Sequence, residues 1–164
     1  MWFHSDQCYF DLPVSATSLY AIELPFVGGQ TLFCDFYKPY EDLPDDIKVE
    51  LVGRVALSVY DYQSNNRYMK STERTKGAPS AVHPVVRTHP ETGRKSLFIN
   101  RLMTDYILDM DTAESTELLE YLFDHIEQGE YIYDHTLQSG DLSVWNNLCT
   151  LHARTDFDLN KRCL

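Results

Sequence analysis

The sequence predicts a mainly β fold, a sandwich or jelly roll that carries a few helices. Three observations support this prediction: short runs rich in β-branched and aromatic residues, turn residues between those runs, and one clear amphipathic helix. The chain has 164 residues, of which 43% are hydrophobic and 13% are aromatic. A chain of this length and composition supports one domain with a sizeable core.

The predicted strands are short and are separated by turn signals, among them the glycine pair Gly28-Gly29 and the segment Pro90–Gly93. The second of these turns joins two strands into a hairpin. The segments with the composition of strands are Thr17–Glu23, Thr31–Phe36, Arg54–Tyr62, Val85–Thr88, Ser96–Asn100, Tyr131–His135, Leu142–Trp145 and Thr150–Arg154.

Two helices and one long loop complete the prediction. Thr112–Gln128 has an apolar stripe at helical spacing and a capping pair formed by Asp111 with Glu114. A shorter helix is predicted over Asp42–Gly53, with a proline in its first turn and a glycine at its end. The polar segment 63–81 is predicted to be a lid or a flexible loop.

The charge balance argues against a nucleic-acid partner, because 14 Lys and Arg face 25 Asp and Glu, for a net charge of -11. The acidic excess lies between Arg101 and Arg154, where no other Lys or Arg occurs. No apolar run has the length of a membrane span, and no signal peptide is recognisable. We therefore expect a cytoplasmic protein with reduced cysteines and no membrane partner.

The segment His4-Ser5-Asp6 is the first candidate for metal chemistry. In an extended segment, residues i and i+2 point the same way, so this imidazole and this carboxylate can reach one ion. A second histidine from elsewhere would complete a facial triad of two histidines and one carboxylate. Alone, the H-x-D pattern is common, and an ordinary surface histidine beside an aspartate explains it equally well.

Further segments appear in an order that is characteristic of one family. The matching segments are His4–Asp6, Glu23–Thr31 (ELPFVGGQT), Thr88–Asn100 (THPETGRKSLFIN), Ser139–Leu142 (SGDL) and Trp145–Arg154 (WNNLCTLHAR). Together they resemble the taurine dioxygenase (TauD/TfdA) family of iron(II)/2-oxoglutarate-dependent dioxygenases. The resemblance spans essentially the whole chain, and it rests on the order of the blocks because each block alone is weak or moderate.

The resemblance implies a double-stranded β-helix (jelly roll) core that binds Fe(II) and uses 2-oxoglutarate as co-substrate. His4, Asp6 and His152 match the iron ligands, and Thr31 and Arg162 match the residues that bind 2-oxoglutarate. The implied reaction hydroxylates a small organic substrate with O₂ and releases succinate and CO₂. The sequence does not identify that substrate.

Three positions remain open at this stage. Arg154 can contact the substrate or co-substrate, or it can form a simple ion pair, and Asn100 can face the pocket. Asn146 stands where the family usually has aspartate, a change that keeps the size of the side chain and one acceptor. We do not expect it to abolish activity.

Members of the family have a long segment before the H-x-D strand, and they continue beyond the arginine that Arg162 matches. We therefore expect residues 1–164 to form a single dioxygenase domain that is incomplete at both ends. Its exposed sheet edges would favour association, including a homo-oligomer. Two alternatives remain: a catalytically silent jelly-roll fragment that acts as a binding module, and a zinc hydrolase that uses the same three ligands.

Overall fold

The computed structural model describes residues 2–60 and 77–157, which contain ten short strands and three α-helices. The strands are β1 (Ala16–Tyr20), β2 (Thr31–Asp35), β3 (Val55–Val59), β4 (Ser80–Pro84), β5 (Val86–Thr88), β6 (Lys95–Leu97), β7 (Thr104–Ile107), β8 (Ile132–His135), β9 (Leu142–Asn146) and β10 (Thr150–Arg154). The helices are α1 (Tyr37–Asp42), α2 (Asp45–Glu50) and α3 (Thr112–Ile126), with a 3-10 turn at Gly129–Tyr131.

The described strands form four small sheets, and neighbouring strands within each sheet are antiparallel. Two sheets pair strands that are distant in sequence, in the orders β1-β9 and β10-β2-β8. The other two sheets have the orders β4-β3-β7 and β5-β6. Pairing of early strands with late ones brings both parts of the chain to one place, and the predicted mainly β fold with helices is confirmed.

The core lies between the sheets and α3. Leu119, Leu122 and Ile126 project from α3 and are fully buried in the same cluster as Phe36 and Leu151. The apolar stripe read from the sequence is therefore the buried face of this helix. Its N-terminus is capped as predicted, because a carboxylate oxygen of Asp111 accepts a hydrogen bond from the backbone N–H two residues later at 2.8 Å.

Arg101 holds α3 from outside the core. Its guanidinium is largely buried and forms ion pairs with Glu120 at 2.6 Å, with Glu127 at 3.0 Å and with Asp124. It also lies over the ring of Phe123, with 5.2 Å between the guanidinium carbon and the ring centroid. This one cation thus neutralises part of the acidic segment.

The predicted helix over Asp42–Gly53 is wrong in its extent, because only α2 (Asp45–Glu50) lies within it and Asp42 is the last residue of α1. Leu43 ends α1 with extended backbone (ψ 146°), and the following residue, Pro44, precedes α2. The ring of a proline disfavours helical backbone at the residue before it, which separates the two helices. The first helix, which starts at Tyr37, was not predicted.

The predicted loop 63–81 is only partly described. Residues 63–76 lie outside the described residues, whereas Ser80 and Ala81 belong to β4, which pairs with β3. The loop prediction is therefore wrong at its C-terminal end. Strand β4 was missed because it is short, ends in proline and buries only a small residue and a histidine, Ala81 and His83. Strand β7 was also not predicted.

Among residues 2–60 and 77–157, the helices are too short and too polar to cross a bilayer.

Candidate metal centre

An isolated antiparallel bridge joins His4 to His152 of β10. The backbone N–H of His4 donates to the carbonyl of His152 at 3.1 Å, and the N–H of His152 donates to the carbonyl of His4 at 2.9 Å. Residues paired in this way carry their side chains on the same face of the sheet. The bridge therefore brings the His4–Asp6 segment next to His152, the second histidine that the family resemblance predicted as an iron ligand.

One ligand atom from each of His4, Asp6 and His152 lies within 4.8 Å of the other two. Each histidine Nε2 lies 3.7 Å from a different oxygen of the Asp6 carboxylate. The ring centroids of the two histidines are 4.3 Å apart. A separation of 3.7 Å is too long for a hydrogen bond but matches donors that share one cation, since ligand atoms lie about 2.1 Å from such an ion.

The contacts of both imidazoles suit metal ligation. Nδ1 of His4 lies 3.0 Å from the carbonyl oxygen of Trp2, which can only accept, so Nδ1 carries the hydrogen of this contact and Nε2 is the nitrogen on the side of Asp6. Burial, together with the neighbouring His4, lowers the pKa of His152 to about 4, although Asp6 opposes the shift. His152 is therefore neutral near pH 7 and can bind a cation.

Asn147 fixes the backbone of Asp6. Its side chain is fully buried, accepts a hydrogen bond from Asp6 N at 2.8 Å, and donates to Asp6 O at 2.8 Å and to Val14 O at 3.0 Å. The hydroxyl of Thr17 on β1 donates to Asp6 Oδ2 at 3.0 Å. Carboxylates that ligate metals are commonly oriented by such outer hydrogen bonds.

Sequence reasoning gave no role to Asn147 or Thr17. Asn147 lies within the WNN segment quoted above, but its partners are backbone atoms, which leave no pattern in the sequence. Thr17 was predicted only as a strand residue. The register of β1 with β9 places it opposite Trp145, and this pairing was not predicted.

Aromatic side chains form one wall beside the trio. The ring centroid of Trp145 is 4.9 Å from that of His152 and 5.1 Å from that of Phe33. The indole Nε1 of Trp145 and Nδ1 of His152 are both buried and have no hydrogen-bond partner among the described residues. Trp145 therefore packs directly on a candidate ligand.

A cavity of about 330 Å³ is lined by Thr31 and Arg154, which face each other across the β2–β10 pair. Arg154 lies two residues beyond His152 on β10, so both side chains project from the same face of that strand. The guanidinium carbon of Arg154 lies 4.4 Å from the ring centroid of Phe157, which also lines the cavity. The metal trio and this cavity thus share one sheet face.

The Gly-Gly segment before Thr31 is fastened to the end of β10. Gln30 and Thr155 exchange hydrogen bonds: each backbone N–H finds an acceptor on the other residue at 3.0 Å. Gly28 has φ +79°, and a Cβ at that position would lie 2.2 Å from the carbonyl oxygen of Asp156. Glycine is therefore required by both backbone conformation and close approach.

Asn100 and Asn146, both named from the sequence, do not join this site. Arg162 lies outside the described residues. Asn100 is buried, accepts a hydrogen bond from Met103 N at 2.8 Å and donates to Cys8 Sγ at 3.5 Å, so its side chain is engaged in a turn. Asn146 accepts from Leu148 N at 3.0 Å in the β9–β10 turn and is not part of the trio.

The remaining histidines have other partners. Their contacts are His83 with Phe10 O, His89 with the backbone N–H groups of Glu91 and Thr92, His125 with Pro39 O, and His135 with the hydroxyls of Tyr133 and Ser143. Within the described residues, His4, Asp6 and His152 form the one group of three His, Cys, Asp or Glu side chains whose ligand atoms are close enough to hold one metal ion.

A sequence model of the family described as "Taurine catabolism dioxygenase TauD, TfdA family" matches residues 1–164. The chain belongs to this family. In the solved structures, AAD-2 in complex with Mn(II) and N-oxalylglycine superimposes with a TM-score of 0.87 at 29% identity, over 98% of this chain and 65% of that one. The predicted jelly-roll fold is thereby confirmed.

Curated relatives also align along nearly the whole chain. The alpha-ketoglutarate-dependent 2,4-dichlorophenoxyacetate dioxygenase of Burkholderia sp. strain RASC is 36% identical over 99% of this chain and 54% of its own length. Pentalenolactone F synthase of Streptomyces arenae is 34% identical over 99% of this chain and 58% of its own length. The chain thus spans little more than half the length of these relatives.

Proposed function

We propose that this TauD/TfdA-family protein is an iron(II)- and 2-oxoglutarate-dependent dioxygenase that hydroxylates a small organic substrate. The observation that carries the proposal is the trio His4, Asp6 and His152, held on the same sheet face as the cavity at Thr31 and Arg154. The name of one relative, the alpha-ketoglutarate-dependent 2,4-dichlorophenoxyacetate dioxygenase, supports the reaction class.

The trio has the donor set that ferrous iron favours. Two neutral imidazoles and one carboxylate leave a divalent ion with net positive charge, which attracts an anionic chelating co-substrate. Asn147 and Thr17 fix the Asp6 backbone and carboxylate before the ion arrives. When bound, the iron supplies the oxidation chemistry that converts 2-oxoglutarate, O₂ and the organic substrate into succinate, CO₂ and the hydroxylated substrate.

The cavity beside the trio suits the far carboxylate of 2-oxoglutarate. The Thr31 hydroxyl can donate to a carboxylate oxygen, and a guanidinium binds a carboxylate through two parallel hydrogen bonds. We assign the anchoring role to Arg162 from the sequence match and a contact at the cavity wall to Arg154. Trp145 packs against His152, and Phe33 packs against Trp145, so this wall limits the access of water to the imidazole.

Anaerobic binding of Fe(II) and 2-oxoglutarate tests the proposal without knowledge of the substrate. Together they should give a visible charge-transfer band in the wild-type chain. This band should be lost in His4→Ala, Asp6→Ala and His152→Ala. His125→Gln is the matched control, because that histidine contacts Pro39 O and lies outside the trio. The band should persist in this variant.

Turnover is then measured as succinate released in the presence of a panel of small organic acids that includes 2,4-dichlorophenoxyacetate. Stimulation of succinate release by one member would identify the substrate class. The proposal fails if the folded chain binds a divalent metal at the trio but shows neither the 2-oxoglutarate band nor 2-oxoglutarate consumption. That result would instead favour hydrolytic metal chemistry.

A further inference from the structure

A second cavity, of about 220 Å³, lies between the β5–β6 hairpin, the start of α1 and the β9–β10 turn. The lining residues that matter here are Ser15, Arg87, His89, Glu91, Ser96 and Asn146. None of the three candidate metal ligands lines it, and neither Thr31 nor Arg154 does. It is therefore separate from the site proposed for the metal and 2-oxoglutarate.

Arg87 brings an unpaired positive charge to this cavity. Its guanidinium carbon lies 4.5 Å from the ring centroid of Phe98, and its terminal nitrogen Nη1 is buried with no hydrogen-bond partner among the described residues. Burial lowers the pKa of Arg87, but a guanidinium stays charged at neutral pH. Nη1 itself is out of reach of solvent, but Arg87 lines the cavity and makes no hydrogen bond or ion pair with another described residue, so the rest of its guanidinium can take an incoming acceptor.

The other groups around the cavity do not neutralise Arg87. Asn146 is uncharged, and its side-chain oxygen already accepts from Leu148 N. Glu91 is the one carboxylate among the lining residues; it is exposed and forms no ion pair with Arg87. The hydroxyls of Ser15 and Ser96 can donate further hydrogen bonds to a bound anion.

We propose that the Arg87 cavity is a binding site for a small carboxylate anion, held by the guanidinium and by the neighbouring hydroxyls. A carboxylate matches the planar fork of a guanidinium, and charge-assisted hydrogen bonds of this kind are stronger than neutral ones. The partial burial of Arg87 strengthens the attraction further, because the local dielectric is lower than that of water. This proposal does not depend on the proposed dioxygenase activity.

Sodium acetate is the probe, titrated into the metal-free chain without 2-oxoglutarate and compared with sodium chloride at matched ionic strength. The side-chain nitrogen resonance of Arg87 is followed by NMR. We expect a saturable shift with acetate and none with chloride. An Arg87 resonance that does not move with acetate would overturn the proposal.

Two variants at Asn146 sharpen the test. Asn146→Asp places an internal carboxylate at the cavity and should weaken acetate binding at least tenfold, whereas Asn146→Ala should leave it within about twofold. Equal binding by both variants would contradict the proposal. These variants keep Arg87, so the test does not depend on whether Arg87→Met folds.

Arg154→Met separates this site from the cavity at Thr31. If acetate binding disappeared in Arg154→Met and the Arg87 resonance of that variant did not move with acetate, acetate would occupy the other cavity. The proposal would then be wrong. Retention of the Arg87 shift in this variant supports it.

Discussion

Replacement of Asn147 by alanine tests how far the metal centre depends on a side chain that cannot touch the ion. Asn147 is fully buried and makes three hydrogen bonds, two of them to the backbone of Asp6. Alanine removes all three at once. The substitution also leaves the backbone groups of Asp6 and Val14 without these partners.

The expected loss of stability follows from those contacts. A net contribution of about 1 kcal/mol per hydrogen bond gives a decrease in the free energy of unfolding of about 3 kcal/mol. For a chain of this size, such a decrease lowers Tm by roughly 6–12 °C. Release of the Asp6 backbone should also weaken metal binding by roughly tenfold to a hundredfold, the usual cost of losing an outer-shell contact.

Asn146→Ala is the matched control, because the neighbouring asparagine is exposed and its side-chain oxygen accepts one hydrogen bond, from Leu148 N. Thermal unfolding of the metal-free chains gives the stability term. Titration with Mn(II), followed by electron paramagnetic resonance, gives the affinity term. The control should stay within about 1 kcal/mol of the wild type and bind Mn(II) normally.

The reasoning would be refuted if both alanine variants had the same Tm and the same Mn(II) affinity. A variant of Asn147 that lost stability but kept wild-type Mn(II) affinity would refute the positioning role alone. In that case the carboxylate of Asp6 would be oriented by Thr17 and by its own backbone conformation.

Three further predictions follow. Thr17→Val removes the hydroxyl that donates to Asp6 Oδ2, and we expect Mn(II) affinity to fall about tenfold in the same titration, with little change in Tm. Arg101→Met removes the ion pairs with Glu120, Asp124 and Glu127, and we expect the free energy of unfolding in urea to fall by about 2 kcal/mol, a value discounted for the exposure of those carboxylates. The exposed pair of Arg94 with Glu41 should contribute less, and an equal effect of Arg94→Met would contradict this ranking. Burial lowers the pKa of His83 from its usual 6.5, so the unfolded chain takes up a proton at higher pH than the folded chain does. The free energy of unfolding should therefore fall as the pH drops below about 6.5. His83→Gln should flatten this pH dependence, and an unchanged profile in the variant would contradict the assignment to His83.

The elements with strong local signals were the ones that the sequence predicted well. Strand β10 has the predicted bounds Thr150–Arg154, and α3 begins at the predicted residue, Thr112, after its capping aspartate. Strands β4 and β7 were missed because each is short, and their stability comes from pairing with β3 on either side. Pairing of that kind depends on residues distant in sequence, which local patterns do not report.

The candidate site divides in the same way. The spacing of His4 and Asp6 was weak evidence by itself; the family resemblance gave it meaning and supplied His152, which the structure places beside them. The support from Asn147 and Thr17 was not predictable, because a buried amide bonded to backbone atoms and a strand hydroxyl have no characteristic spacing. Their roles depend on the β1–β9 register, which only the folded chain reveals.

The bridge between His4 and His152 has a consequence for the order in which the chain assembles. These residues are 148 positions apart, so direct closure of that loop would be slow and entropically costly. Once β1 has paired with β9, Ala16 lies opposite Asn146, and the loop still to be closed is short. The segment that carries His4 and Asp6 is then held by two backbone hydrogen bonds and by Asn147, and it can open locally while the core stays folded. An ion bound to both sides of this bridge would suppress that opening in proportion to its concentration, so hydrogen exchange at His4 and His152 would report metal occupancy.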